Sequence, residues 1–205
     1  MKAKFVIATP NILETIEQAA RTCYKSENLI KTGSAEKIFN TVIKQRGHES
    51  CCEHASITMK LTIDRATMTQ LIRSRIGFSY SCESQRYCNY SKDKFENQVS
   101  FIKPMDVPDE GVIFDIWQSG CSQAEFHYFT LLEKGLKPES ARSVLPNCTK
   151  CEITVTANIR AWRNMFRLRT SQHAQKEIRN MCKLIHAEML DNGVPAILFD
   201  DIFTD

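Results

Sequence analysis

Apolar and polar positions alternate most regularly from Ser56 to Asp64. Ile57, Met59, Leu61 and Ile63 fall on one side, with Thr58, Lys60 and Thr62 on the other. A period of two over this length predicts a half-buried strand. Lys4 to Ala8 is a shorter β-branched and aromatic run and predicts a first strand. Between the two runs the period changes. Ile12, Ile16, Ala19, Ala20 and Cys23 recur three and four apart, which predicts a helix over 12–23 opened by Pro10-Asn11. A second helix is expected over Ala35 to Gln45, stopped by Gly47 and followed by a polar loop over 47–54. Arg65 to Arg75 then reads as a helix with Met68, Leu71 and Ile72 inward. Gln70, Arg73 and Ser74, three and four apart, share its opposite face.

Farther along, Lys92 to Gln98 is polar and reads as loop, and Val99 to Ile102 as a short strand closed by Pro104 and Pro108. Asp109 to Lys134 has a long helical pattern, with Ile113, Ile116, Trp117, Phe126, Phe129 and Leu132 as core candidates and Gly135 as its stop. A helical turn starts at Pro138 and breaks at Pro146. Thr149 to Thr156 fits either a short strand or a polar entry to the next helix. Asn158–Arg169 and His173–Asp191 read as two helices, the second ended by Asn192-Gly193. With no repeat, low-complexity tract or linker, these elements predict one α+β domain over 1–205. Its small antiparallel or mixed sheet is covered by several helices, with long helices at the C-terminal end.

Composition narrows the classes. The chain has 205 residues, 42% hydrophobic and 25% charged, enough for one domain with a real core. A net charge of +3 and a pI of about 8.3 give no general hold on nucleic acid. No run approaches the ~20 apolar residues of a membrane span, and Pro10 interrupts the N-terminal apolar run too early for a secretory signal. Nine cysteines without such a signal point to reduced thiols and a cytoplasmic protein.

Arginine is where the pattern departs from a plain core-and-surface reading. Arg73, Arg75 and Arg86 lie within one short stretch that also holds Ser79, Tyr80, Ser81, Ser84 and Tyr87. Guanidinium forks match phosphate oxygens, so this stretch fits an anion-binding loop; the alternative is a solvated rim. On the helix 158–169, Arg160, Arg163, Asn164 and Arg167 share a polar face, whereas Arg169 projects near Trp162 and Met165 on the apolar side. Arg169 is either a snorkelling residue at a helix C-terminus or a partly buried cation held for an anionic partner. Cys148-Thr149-Lys150-Cys151 has zinc-ligand spacing but no second pair, so a zinc protein and a nucleic-acid module stand as readings from other classes.

Taken together, these segments resemble the flavin-dependent thymidylate synthases. Arg73-Ser74-Arg75 matches the start of that family's signature, and Ser79 to Tyr87 its end. Asn158-Ile159-Arg160, Asn164, Leu168-Arg169 and 173–179 are similar to its C-terminal helices. Gly47-His48-Glu49-Ser50, Glu53-His54 and 20–24 are similar to segments ahead of the signature. The resemblance implies conversion of dUMP to dTMP, with FAD as cofactor and methylenetetrahydrofolate and NADPH as co-substrates. It further implies a homotetramer whose sites are shared between subunits. Ser50, Arg73, Arg75, Asn158, Arg160 and Asn164 are then expected to contact FAD. Gln70, Ser84, Gln85, Arg86, Arg142 and Arg169 are expected to hold dUMP, with Arg169 polarising the uracil ring. The signature departs from the family at Ser74, usually His, and at Cys82, where Glu or Gln is usual; one more residue lies between Arg75 and Ser79. These departures leave a slow or inactive FAD- and dUMP-binding homologue as the alternative within the family.

Overall fold

The computed structural model describes residues 1–203. Four strands form one antiparallel sheet in the order β1, β2, β4, β3: β1 is Lys2–Ala8, β2 Ser56–Asp64, β3 Phe78–Cys82 and β4 Lys150–Asn158. The central pair shows why alternation predicts strands. Ile57, Met59, Leu61 and Ile63 of β2 and Cys151, Ile153, Val155 and Ala157 of β4 are buried. On the opposite face Thr58 Oγ1 and Thr156 Oγ1 lie 2.9 Å apart, a cross-strand pair that fixes the register.

Among the described residues seven α-helices accompany the sheet: α1 Ile12–Tyr24, α2 Ser34–Ile38, α3 Arg65–Leu71, α4 Val112–Glu133, α5 Pro138–Ala141, α6 Ile159–Arg169 and α7 Lys176–Asp191. The α+β architecture expected from the sequence is therefore present, with α6 and α7 at the C-terminal end. By internal contacts the described residues divide into two compact units, one over 62–71 and 81–153 (with Met1), the other over 2–61, 72–80 and 154–203. Strands β2, β3 and β4 each supply residues to both units. In the first unit Tyr90, Val99, Tyr128 and Ala141 form the core, with Phe95, Phe101 and Leu145 packed on it. In the second, Trp162, Met165, Phe166, Met189 and Phe199 are fully buried. Trp162 Nε1 donates to Ile57 O at 3.2 Å.

Several sequence expectations are corrected. The helix begun at Arg65 ends at Leu71 rather than Arg75, so Arg73 and Ser74 do not share a helix face with Gln70, and Ile72 is 37% exposed rather than inward. The chain turns at 72–77, and Phe78 to Cys82, read as loop, is strand β3. Its own alternation of Phe78 and Tyr80 against Ser79 and Ser81 carries that signal, and the two rings stack at 5.6 Å. Thr149–Thr156 resolves as the strand alternative, and 99–102 holds only one isolated bridge, Phe101 to Thr149. On α4 the buried residues are Cys121 and Tyr128. Ile113, Ile116 and Phe126, expected in the core, are 61%, 68% and 65% exposed. The helix over 35–45 continues from α2 as a π-helical turn, Phe39–Gln45, which buries Phe39 and Ile43.

Candidate functional site

The six residues expected at a flavin all lie in the second unit. Two structural devices arrange them. The first is a 3₁₀ turn, Glu49–His54, which carries Ser50 and is clamped to α6 through its two glutamates. Arg160 Nη1 pairs with Glu53 Oε1 at 2.5 Å, Arg163 Nε with Glu49 Oε1 at 3.0 Å, and Arg167 Nη2 with the same oxygen at 2.7 Å. Arginines at 160, 163 and 167 stand three and four apart, so one side of the helix faces the turn. Burial works against the Glu49 carboxylate, but the hydrogen bonds from Arg167 and Arg163 outweigh it and hold its pKa below the usual value.

Arg163 corrects the sequence reading. The helical pattern puts it on a polar face with Arg160 and Asn164, yet its side chain is 0% exposed. Besides Glu49, its Nη1 and Nη2 bond to Asp201 at 2.8 and 2.6 Å, and Nη1 also donates to Leu198 O. A buried cation satisfied this fully is a structural hub.

The second device is Gly77. Its φ is +76, in the left-handed region, and a Cβ there would lie 2.9 Å from both Ala161 Cβ and Asn158 Nδ2. Asn158 N–H donates to Gly77 O at 3.3 Å, and Phe78 meets Trp162 edge-to-face at 5.3 Å. The segment with Arg73 and Arg75 is thereby seated on the first turn of α6, and both arginines are exposed. Asn158 itself caps α6: its Oδ1 accepts from Ala161 N–H at 2.8 Å. Asn164, one turn beyond Arg160, is exposed on the same helix.

Ser50 and Arg160 line one cavity of about 290 Å³ together with Tyr24, Val42, Gly47 and His48. Three segments far apart in sequence, around 20–24, 47–51 and 160, close around it. Its hydroxyl, imidazole and guanidinium donors fit the anionic diphosphate and polar rim of a flavin nucleotide, whereas Arg73 and Arg75 do not line it. The volume takes one moiety of such a molecule rather than the whole.

Of the residues expected at the nucleotide, five lie in the first unit and Arg169 in the second. Arg86 and Arg142 come together at Glu139. Its carboxylate accepts from Arg86 Nε at 3.2 Å, and its main-chain oxygen accepts from Arg142 Nε at 3.2 Å. The Arg86 guanidinium also lies over the Tyr87 ring, 5.3 Å from its centre. Ser84 Oγ accepts the Arg86 N–H at 3.3 Å. Gln85 is buried and hydrogen-bonds Tyr90, so its side chain also supports the loop. Gln70 is half-buried near the end of α3. Arg169, the last residue of α6, is half-buried, with its charge acting on buried Cys182 of α7.

The two unusual signature positions have structural partners. Tyr80 donates its hydroxyl to Ser74 O at 2.6 Å. The Cys82 thiol has its pKa lowered to about 7, first by a hydrogen bond from Cys151 and then, against burial, by the charge of Arg65. Glu83 accepts from Tyr90 Oη at 2.8 Å and from Glu152 N–H at 3.3 Å, which occupies both its oxygens. The Cys148–Cys151 spacing does not make a pair: Cys148 lies 3.6 Å from Cys121, and Cys151 bonds to Cys82. Glu49, Glu53, Glu139 and Gly77 were missed as organisers. Only Gly77, a glycine inside an otherwise bulky stretch, carried a local signal of a special backbone.

A family model described as thymidylate synthase complementing protein matches residues 4–195. A flavin-dependent thymidylate synthase of Geobacter sulfurreducens is 35% identical over 207 residues, covering 98% of this chain and 86% of the relative. One from Pyrococcus abyssi is 32% identical over 189 residues, covering 88% and 75%. A crystal structure of the flavin-dependent thymidylate synthase ThyX from Helicobacter pylori, complexed with FAD and dUMP, superposes with a TM-score of 0.79. It is 22% identical and covers 100% of both chains, which speaks to the fold. With a match along nearly its whole length and such relatives, the chain belongs to the thymidylate synthase complementing protein family, the flavin-dependent thymidylate synthases.

Proposed function

We infer that the chain catalyses the reductive methylation of dUMP to dTMP, with FAD as cofactor, methylenetetrahydrofolate as carbon donor and NADPH as reductant. The observation that carries this reading is the cavity at Ser50 and Arg160, where three distant segments of family resemblance converge in one unit. We assign the flavin to Ser50, Arg73, Arg75, Asn158, Arg160 and Asn164, and dUMP to Gln70, Ser84, Gln85, Arg86, Arg142 and Arg169. Bound FAD supplies the redox chemistry of the reaction.

The protein's own part is positioning and charge. Arg86 and Arg142, already converging on one carboxylate-bearing residue, suit a phosphate that exchanges with the Glu139 side chain. Arg169 provides a fixed positive charge against the pyrimidine. At about 4 Å and an effective dielectric near 20, such a charge is worth roughly 4 kcal/mol to an anion at N3 or its neighbouring oxygens. That is about three pKa units, which makes the ring electron-rich at C5 near neutral pH. No cysteine nucleophile is needed under this scheme.

We further propose that the whole chain acts as one catalytic domain, in the cytoplasm, as a homotetramer with sites shared between subunits. The small volume of the cavity supports a site completed by a second copy. So does the apolar face of α4, where Val112, Ile113, Ile116 and Phe126 are more than half exposed. Among the described residues no helix is long and apolar enough to cross a membrane. The direct test is the visible spectrum of the purified chain, followed by dTMP formation from the four components. A colourless protein that fails to take up added FAD would overturn the assignment.

A further inference from the structure

Arg86 is exposed and sits in a turn outside any strand or helix. The two ends of that turn are bonded to each other. Tyr90 Oη donates to Glu83 Oε1 at 2.8 Å. The other oxygen of Glu83 accepts the Glu152 N–H of β4 at 3.3 Å, and the Glu83 N–H donates to Glu152 O at 2.8 Å. One end of the turn is thus fixed to β4 by main chain and side chain together.

The other end is fixed by burial. Tyr90 is 5% exposed in the core of the first unit, with Val99, Tyr128 and Ala141. Its N–H donates to Tyr128 Oη at 3.4 Å, and its ring meets Phe95 edge-to-face at 5.2 Å. Burial, and then the Glu83 carboxylate, raise the pKa of the phenol, so it remains a donor at neutral pH. Between the ends, Tyr87 N–H and Cys88 N–H both donate to Ser84 O, at 3.1 and 2.8 Å. Ala141 belongs to α5, which also carries Glu139, the partner of Arg86. The core that seats Tyr90 therefore also seats the helix against which Arg86 is aligned.

We propose, on the assignment of dUMP to Ser84, Gln85, Arg86 and Arg142 made above, that Tyr90 is a positioning residue for the nucleotide: its bond to Glu83 closes the turn 83–90 and presents Arg86 to the phosphate. Packing alone would be served by phenylalanine; the hydroxyl is what reaches the far end of the turn. An arginine on an open loop has to be ordered when phosphate binds, and a loop closed in advance avoids most of that entropy loss. The same bonds occupy both oxygens of Glu83, so this nearby carboxylate does not compete with phosphate for the Arg86 guanidinium.

The test is calorimetric titration of the FAD-loaded full chain with dUMP, arranged as a double-mutant cycle. Tyr90→Phe keeps the ring and is expected to weaken dUMP about tenfold or more in Kd, the usual scale for losing a hydrogen bond to a charged group. FAD affinity stays unchanged. In an Arg86→Ala background the same substitution is expected to change Kd by less than about twofold, because the turn then has no guanidinium to present. Glu83→Gln leaves one acceptor for two donors and is expected to give a smaller loss of the same kind. Thermal melts confirm that the variants fold; should Tyr90→Phe fail to, Glu83→Gln carries the same cycle. Unaltered dUMP affinity in Tyr90→Phe overturns the proposal. So does a loss equally large with and without Arg86, which would make Tyr90 a structural residue only. A wild-type chain that binds FAD but not dUMP overturns the nucleotide assignment itself, and the role of Tyr90 with it.

Discussion

The Oε2 of Glu139 lies 3.2 Å from the Nε of Arg86. An exposed pair of this kind is worth little by itself. Its importance is positional, because Glu139 O also accepts from Arg142 Nε and so holds two cations at one place. A phosphate bound by these arginines has to displace the carboxylate. Arg86→Ala is expected to weaken dUMP binding by about 1.5–3 kcal/mol, roughly 10- to 150-fold in Kd, with FAD affinity unchanged. Glu139→Gln removes the competing charge and is expected to tighten dUMP. Calorimetric titration of both variants checks this; tightening on Arg86→Ala would reverse the assignment.

The role proposed for Arg169 predicts that binding and chemistry separate on its substitution. Arg169→Ala is expected to keep flavin bound, judged by its visible spectrum, and to abolish dTMP formation. Arg169→Lys keeps the charge but not the planar fork, and is expected to retain a residual rate with an altered pH profile. Normal turnover in Arg169→Ala would remove this residue from the mechanism.

Gly77→Ala forces a side chain into a left-handed turn against Ala161 and Asn158. The backbone strain alone amounts to about 1–3 kcal/mol. A lower Tm is expected, together with weaker FAD binding, because Arg73 and Arg75 ride on the same turn. A variant with unchanged Tm and FAD affinity would show that the turn adjusts freely.

The Arg163 hub gives an acid limit to stability. Burial opposes the charged form of Asp201, but its hydrogen bonds to Arg163 hold the pKa below the usual value, as at Glu49. Depressed carboxyls contribute fully above their unfolded values, about pH 4, and that contribution is lost as pH falls through the lower folded values. Tm is therefore expected to drop steeply below about pH 4. Arg163→Met is expected to lower stability at pH 7 by about 3–5 kcal/mol and to flatten the acid slope. Thermal melts from pH 7 to pH 2 read both effects.

What the sequence made legible followed local rules. Period-two runs marked β2, and spacings of three and four marked α1, α6 and α7. The resemblance blocks pointed to Ser50, Arg160 and the Ser84–Arg86 loop, and the fold brings the first two to one cavity. What it hid depended on partners distant along the chain. Arg163 looks like Arg160 in a helical wheel, and only Glu49 and Asp201, brought in from elsewhere, make it a buried charge. On α4 the apolar residues outnumber the positions that this chain can bury, so periodicity could not tell Ile116 from Tyr128. The end of α3 was overrun because Ile72 and Arg73 suit a helix, whereas Gly77 and the β3 pairing draw the chain out of it.

Glu49 answers two arginines and lies next to Ser50, so position 49 is not free to drift. A neutral residue there strands part of a buried cation, and a neutral residue at 163 strands two carboxylates. Homologous chains should therefore change positions 49, 163 and 201 together or leave all three alone. Ser50, which makes none of these bonds, inherits that constraint only through its neighbour.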